Sequence, residues 1–348
     1  MADNTAIEWT DATWNPVVGC SIVSPGCTNC YAMREAHRLG ANPKLHGKYA
    51  GLTRVVNGHP VWTGDARLHE AALLQPLGWR KPRRIFVNSM SDLFHEGLTW
   101  TDIDRVFTVM AEAHRHTFQV LTKRSWRMKE WANSTHQRTK RAQLPHIWLG
   151  VSAEDQTRAE MRISDLLATP AAVRFVSCEP LLEAIDLDRI PREPSAYDRA
   201  MPGFAGVGKF VTSALHGVPG LIMADDGREY WEPIDSALRG ARLDWVIAGG
   251  ESGPSARPAH PDWLRSLRDQ CVRAGVPYFF KQWGEWEPTA VEPGGDLGGD
   301  MRRDLVRFVR PRGENDGHFR RGDVIMRRTG KSKAPAQLDG RTWRESPS

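Results

Sequence analysis

From residue 84 onward the chain alternates short apolar runs with amphipathic stretches. Apolar runs cover 84–89, 117–121, 146–151, 173–176, 243–248 and 277–280. Each is short and apolar almost throughout, the pattern of a strand buried on both faces. Between them the spacing of apolar residues predicts helices over 102–114, 125–133, 157–167 and 261–274. An earlier strand over 13–18 brings the count to about seven, and a helix over 31–39 follows it. Residues 62–77 also carry a helical pattern, with Ala66, Leu68, Ala71 and Leu74 on one side and a stop at Pro76 and Gly78. Strands alternating with helices predict a parallel sheet with right-handed crossovers, an α/β fold. No Gly-rich dinucleotide fingerprint follows any strand. The expectation is therefore a TIM-like parallel β/α barrel, complete or partial, and not a doubly wound sheet.

Two intervals break the rhythm. Residues 191–239 are rich in Gly and Pro and include Tyr230 and Trp231, which reads as an insertion, either a lid over the barrel mouth or a surface decoration. Residues 288–348 are Gly- and Arg-rich (Arg302, Arg303, Arg307, Arg310, Arg312, Arg320, Arg321, Arg327, Arg328) and read as a basic C-terminal appendage. The division expected is thus a barrel over 1–287 and an appendage over 288–348. Such a charge run is either a solvated face or a nucleic-acid contact.

Composition changes this picture little. A chain of 348 residues with 40% hydrophobic content can bury a large core, and its net charge of +5 permits an anionic partner such as a nucleic acid or nucleotide without requiring one. The start, Met1-Ala2-Asp3-Asn4-Thr5, lacks the basic and apolar regions of a signal peptide. No apolar run approaches the roughly 18 residues of a membrane span. A reducing, cytoplasmic setting is expected, with no membrane partner. The fourteen tryptophans read as core or interface anchors.

The candidate chemistry sits between the first strand and the first helix. Cys20, Cys27 and Cys30 form a C-x6-C-x2-C pattern on a loop held open by Ser24-Pro25-Gly26. Three thiolates converging without a fourth cysteine suggest an iron–sulfur cluster with one iron left open, or a structural zinc completed by His37 or another histidine. The remaining strand ends share polar chemistry: Ser91 and Asp92, Lys123, Ser152 and Glu154, Ser177 and Glu179, Glu251 and Gln282. In α/β barrels the C-terminal strand ends carry the site. Residues two apart on a strand face the same way, so Ser152 with Glu154 and Ser177 with Glu179 can face one mouth. Carboxylates there would take an amino group or ribose hydroxyls, and a cation would take a carboxylate. Each acid also has a plainer role as a helix-capping group. Cys178 reads either as a buried packing residue or as a redox thiol, and Cys271 as packing.

A cysteine loop after the first strand of a parallel barrel resembles the radical S-adenosylmethionine (SAM) superfamily. The first gap departs from the common C-x3-C-x2-C spacing, and the aromatic, Tyr31, follows the last cysteine instead of preceding it. The whole chain more closely resembles the phage gene-product 37 / gene-product 68 family. The motifs that carry this are Ile7-Glu8-Trp9-Thr10-Asp11-Ala12-Thr13-Trp14-Asn15-Pro16, Cys30-Tyr31-Ala32, Asn88-Ser89-Met90-Ser91-Asp92-Leu93-Phe94, Leu121-Thr122-Lys123-Arg124, Leu149-Gly150-Val151-Ser152, Glu179-Pro180-Leu181, Gly249-Gly250-Glu251-Ser252-Gly253, Phe280-Lys281-Gln282-Trp283-Gly284 and Leu338-Asp339-Gly340-Arg341-Thr342-Trp343. The superfamily resemblance implies a [4Fe–4S] cluster on Cys20, Cys27 and Cys30, with SAM chelated by its open iron and cleaved reductively to a radical that abstracts hydrogen. By position it places Ser91 and Asp92 near the SAM amino group, Ser152 and Glu154 near the ribose, and Glu179 and Glu251 deeper in the mouth. The substrate and the outcome of the reaction stay open, with modification of a nucleic acid or nucleotide suggested by the phage association and the mild basicity. The rival readings are a zinc-stabilised nucleic-acid-binding protein without redox chemistry, and a scaffold that acts only with a partner protein.

Overall fold

The computed structural model describes residues 5, 7–192, 209–217, 219–225, 228–233, 240–289, 306–309 and 323–347, with 209–210, 219–225, 228–233 and 306–309 as backbone only. Its centre is a seven-stranded parallel sheet: β1 (Ala12–Trp14), β2 (Arg84–Val87), β3 (Thr117–Thr122), β4 (Ile147–Ser152), β5 (Val173–Cys178), β6 (Trp245–Ala248) and β7 (Tyr278–Phe280). The strands lie in sequence order, each parallel to the next. The sheet curls into a half-barrel, open because β1 and β7 do not pair. The first helix, α1 (Tyr31–Gly40), packs on the strands Thr53–Val56 and His59–Trp62, and against the sheet pack α2 (Trp100–Glu112), α3 (Ser125–Ser134), α4 (His136–Ala142), α5 (Gln156–Leu167) and α6 (Pro261–Ala274). Their limits follow local chemistry. Thr99 and Asp102 form a reciprocal capping box at the start of α2, and Gly275 ends α6 in the left-handed region at φ 64°.

The period-two geometry of the strands sorts residues to two faces. Ile85, Val87, Phe118, Val120, Leu149, Val151, Val176, Val246 and Phe280 join the helices in the main core. Phe86, Trp148, Phe175, Trp245, Ile247 and Phe279 point to the concave side and close over Trp9 in a second, mostly aromatic cluster. Trp9 meets Phe86 edge-on at 4.8 Å and Trp245 at 6.0 Å, the geometry that the ring quadrupole favours. Gly150 lies in this row because a Cβ there would fall 2.5 Å from the Phe175 ring.

Two sequence expectations need correction. The strand over 13–18 is broken at Pro16, which has no N–H for a ladder; Val17–Val18 turns aside to pair antiparallel with Arg67–Leu68. The helix over 62–77 does not form. His59–Trp62 instead pairs with Thr53–Val56 in a hairpin, and only Glu70–Leu73 is α-helical, followed by a 3-10 turn at Gln75–Gly78. Gly64, at φ 99°, and Pro76 interrupt the stretch, and the apolar spacing serves the Arg67–Leu68 pairing. Leu74 is left 63% exposed.

The interval after β5 contains a four-stranded antiparallel sheet of Ile190–Pro191, Lys209–Thr212, Pro219–Asp225 and Arg228–Pro233. Residues 193–208 and 234–239, and the side chains of Tyr230 and Trp231, lie outside what the structure describes. After β7, Trp286–Pro288, Val324–Arg328 and Val306–Val309 form a three-stranded antiparallel sheet. Arg302, Arg303, Arg310, Arg312, Arg320 and Arg321 also lie outside the described residues. The chain then returns to the barrel edge, where Arg344 bridges Phe279 and Trp343 packs on Tyr278. Among the described residues no helix is long and apolar enough to cross a membrane.

Candidate functional site

The strand ends open into a cavity of about 750 Å³ above the aromatic cluster. The cysteine loop forms one wall. Gly19 starts it at φ 88°, with Asp65 O only 2.1 Å from where a Cβ would sit, so no larger residue fits. Gly19 also bridges Ser91, whose hydroxyl donates to Val17 O at 2.8 Å and ties the loop to the end of β2. Pro25 begins a 3-10 turn over Pro25–Cys27, and Cys30 caps α1. Cys20, Cys27 and Cys30 all line the cavity and are free thiols. Burial, then repulsion from Asp92, pushes the Cys20 thiol up to about 12, opposed by Arg124. Burial also raises Cys30, against the pull of the α1 backbone N–H groups and Lys123. Among the described residues no three Cys, His, Asp or Glu side chains are grouped as one metal-ion site.

Two of the strand-end acids hold this loop in place. Glu154, beyond β4, is fully buried and lies outside the cavity wall. It accepts from Arg162 Nη1 at 2.8 Å and from Gly26 N at 3.2 Å. Burial opposes its ionisation, but the charges of Lys123 and Arg162 and hydrogen bonds from Ser24 and Gly26 prevail and hold its carboxyl below the ordinary range. A Cβ at position 26 would fall 2.9 Å from the Glu154 carboxyl carbon, so glycine is needed there. Glu251, beyond β6, grips the other end of the loop. Arg257 donates to both its oxygens, at 2.6 and 2.9 Å, and Asn29 Nδ2 donates at 3.1 Å. Arg257 Nη2 also reaches Pro25 O at 2.9 Å.

Asp92 is similarly engaged. It accepts from Phe94 N, Thr122 Oγ1, Lys123 N and Arg124 Nη1 at 2.7–3.2 Å. Arg124, only 2% exposed, ties Asp92, Glu96 and Ser21 together and places Nη1 3.9 Å from Cys20 Sγ. Burial disfavours its charge, yet Asp92, Cys20 and Glu96 keep its pKa above the usual value. Glu179 lines the cavity and accepts from Lys281 Nζ at 2.7 Å.

Ser152 and Ser177 face each other in register across β4 and β5 and line the cavity. Their hydroxyls and Lys123 Nζ bond to no described side chain or carbonyl, which leaves them available to a ligand. Cys178 points the other way. It is fully buried in the main core beside Cys271, with its thiol pushed up to about 12 by burial and then by Glu154. That removes it as a cavity-facing catalytic thiol. His37, the suggested fourth zinc ligand, lies outside the wall and contacts Thr53 Oγ1 at 3.2 Å. No described histidine lines the cavity.

The sequence reading missed Arg34, Asn29, Arg257 and Arg162. Arg34 projects from α1 into the cavity wall. The other three are partners of acids it had singled out, and no local pattern marks them.

A family model described as a protein of unknown function (DUF5131) matches residues 4–347. The chain belongs to the DUF5131 family. No curated protein and no solved structure matches this DUF5131 chain.

Proposed function

We propose that this DUF5131 protein is an iron–sulfur, radical-SAM-like enzyme. The observation that carries the reading is the donor set: three cysteines of one loop share the mouth of a half-barrel cavity whose described wall contains no fourth cysteine and no histidine. That set fits a [4Fe–4S] cluster on Cys20, Cys27 and Cys30. When bound, such a cluster supplies an open iron that chelates the amino and carboxylate groups of SAM, and the electron that cleaves it.

The chain's own residues prepare this chamber. Glu154 and Glu251 fix the two ends of the cysteine loop. Arg124 beside Cys20 and Lys123 beside Cys30 place positive charge that offsets part of the burial raising those two thiols. Ser152 and Ser177 offer hydroxyls to a ribose, and Glu179 an acceptor, from the side facing the cysteines. The aromatic cluster closes the bottom of the half-barrel against water. A reducing compartment is the setting proposed, because the free thiols persist there.

The test is anaerobic purification with iron, sulfide and zinc assays, followed by reduction in the presence of SAM. The reading expects a brown protein with about four irons per chain that releases 5′-deoxyadenosine, and Cys27→Ala should abolish iron binding. A colourless protein with one zinc per chain and no SAM cleavage would overturn it in favour of a zinc-stabilised nucleic-acid-binding module.

A further inference from the structure

The charged groups of the cavity wall pair off almost completely. Arg124 is matched by Asp92, Lys281 by Glu179, Lys331 by Glu8, and Glu251 by Arg257 outside the wall. Glu35 turns to Arg38. Two cations remain: Lys123, beyond β3, and Arg34, on α1. Neither has an acceptor among the described residues, and they reach the cavity from separate parts of its wall.

Arg34 is held there by shape. Its guanidinium fills the space over Gly253, where a Cβ would lie 2.5 Å from Nη2. The nearby acids are committed elsewhere: Glu251 to Arg257, and Glu285 to the Gly253 N–H at 3.0 Å. A positioned guanidinium with no counter-ion is matched by a two-oxygen anion, which its fork binds bidentately. Below it the cavity changes character. Ile7, Trp9, Phe86 and Leu121 make an apolar, partly aromatic floor.

We infer that the cavity takes a nucleoside phosphate, with Arg34 as its phosphate anchor and the aromatic floor as the seat of its base. A planar heterocycle stacks on aromatic rings, and its phosphate meets the guanidinium. The inference deepens the enzyme reading by naming its substrate class, and it rests on that cavity being the reaction chamber. Lys123 then serves the SAM carboxylate and Arg34 the substrate.

The test is calorimetric titration of the full chain with GMP, UMP, their nucleosides, and a 5′-phosphorylated trinucleotide, with and without saturating SAM. Both nucleotides should bind, and the nucleosides about tenfold or more weaker, the loss of one charge-assisted contact. Arg34→Gln should weaken nucleotide binding about tenfold, and Arg34→Lys should restore part of it, which also checks that the fold is intact. SAM should leave nucleotide affinity undiminished. Equal binding of nucleosides and nucleotides, an unchanged affinity in Arg34→Gln, or displacement by SAM would overturn the inference. Preference for the trinucleotide would place the substrate in a strand, and preference for GMP or UMP in the free pool; both support the shared chemistry. Release of 5′-deoxyadenosine reports on the enzyme reading alone, so the two failures are distinguishable.

Discussion

The two faces of the parallel sheet are built from the same strands and serve opposite ends. On the convex face, Val, Ile, Leu and Phe side chains meet amphipathic helices in the main core. On the concave face no helix layer follows. The rows run instead from an aromatic floor to a polar rim: Trp148, Gly150 and Ser152; Phe175, Ser177 and then Glu179. Strand pleating alone makes neighbours such as Ser177 and Cys178 part company, one into the cavity and the other into the core. The lesson is that a reactive residue type means little until its face is known. The five cysteines divide accordingly, three on the cavity wall and two beneath the convex face.

That contrast can be broken most forcibly at Glu154→Gln, buried just beyond β4 behind the cavity wall. The change leaves Arg162 as an uncompensated buried charge and should cost about 3–5 kcal/mol in urea unfolding at pH 7. It should also release iron from the loaded protein by loosening Gly26. The sign with pH is fixed by the depressed folded-state pKa. The wild-type advantage is fully present above the unfolded glutamate value of about 4.3 and is lost as the pH falls through the lower folded value. The gap between wild type and variant should therefore close on acidification; a constant gap would mean the pair is not ionised.

A smaller effect is expected within the β4 row itself. Gly150→Ala pushes a methyl group into the Phe175 ring and should cost about 1–3 kcal/mol by overpacking. Thermal unfolding of this variant beside Val151→Ala, one residue along on the convex face, separates strain on one face from a cavity on the other. A neutral Gly150→Ala would show that the floor can rearrange. The smallest effect sharpens the contrast on the convex side. Cys178→Ala should cost about 1 kcal/mol or less and leave iron content unchanged. Loss of iron in that variant would put Cys178 back among the site residues.

Much of the fold was legible because it depends on near neighbours. All seven parallel strands overlap the apolar runs, and five of the helices were foreseen from apolar spacing. The failure at 62–77 came where a helical spacing coincided with strands whose partners, Val17–Val18 and Thr53–Val56, stand elsewhere in the chain. The site was legible in part. The cysteine loop and the strand-end residues were identified together, and most of them do border one cavity. Their tasks were not legible, since Glu154 looks like a ligand until Arg162 and Gly26 are seen around it.

By itself the sequence determined where the seven parallel strands and five of the helices form, that the sheet is parallel, and that three thiols stand on the loop after the first strand. These follow from periodicity, from turn chemistry at Pro and Gly, and from spacing, all of which act within a few residues. Only the tertiary structure decided which polar groups are already satisfied and which remain for a ligand. Asn29 meets Glu251 across 222 positions, and Gly26 meets Glu154 across 128. Arg34 owes its place to the missing side chain of Gly253. Charge pairing and steric fit act through space, so the residues free to do chemistry emerge only when distant strands have brought their ends together.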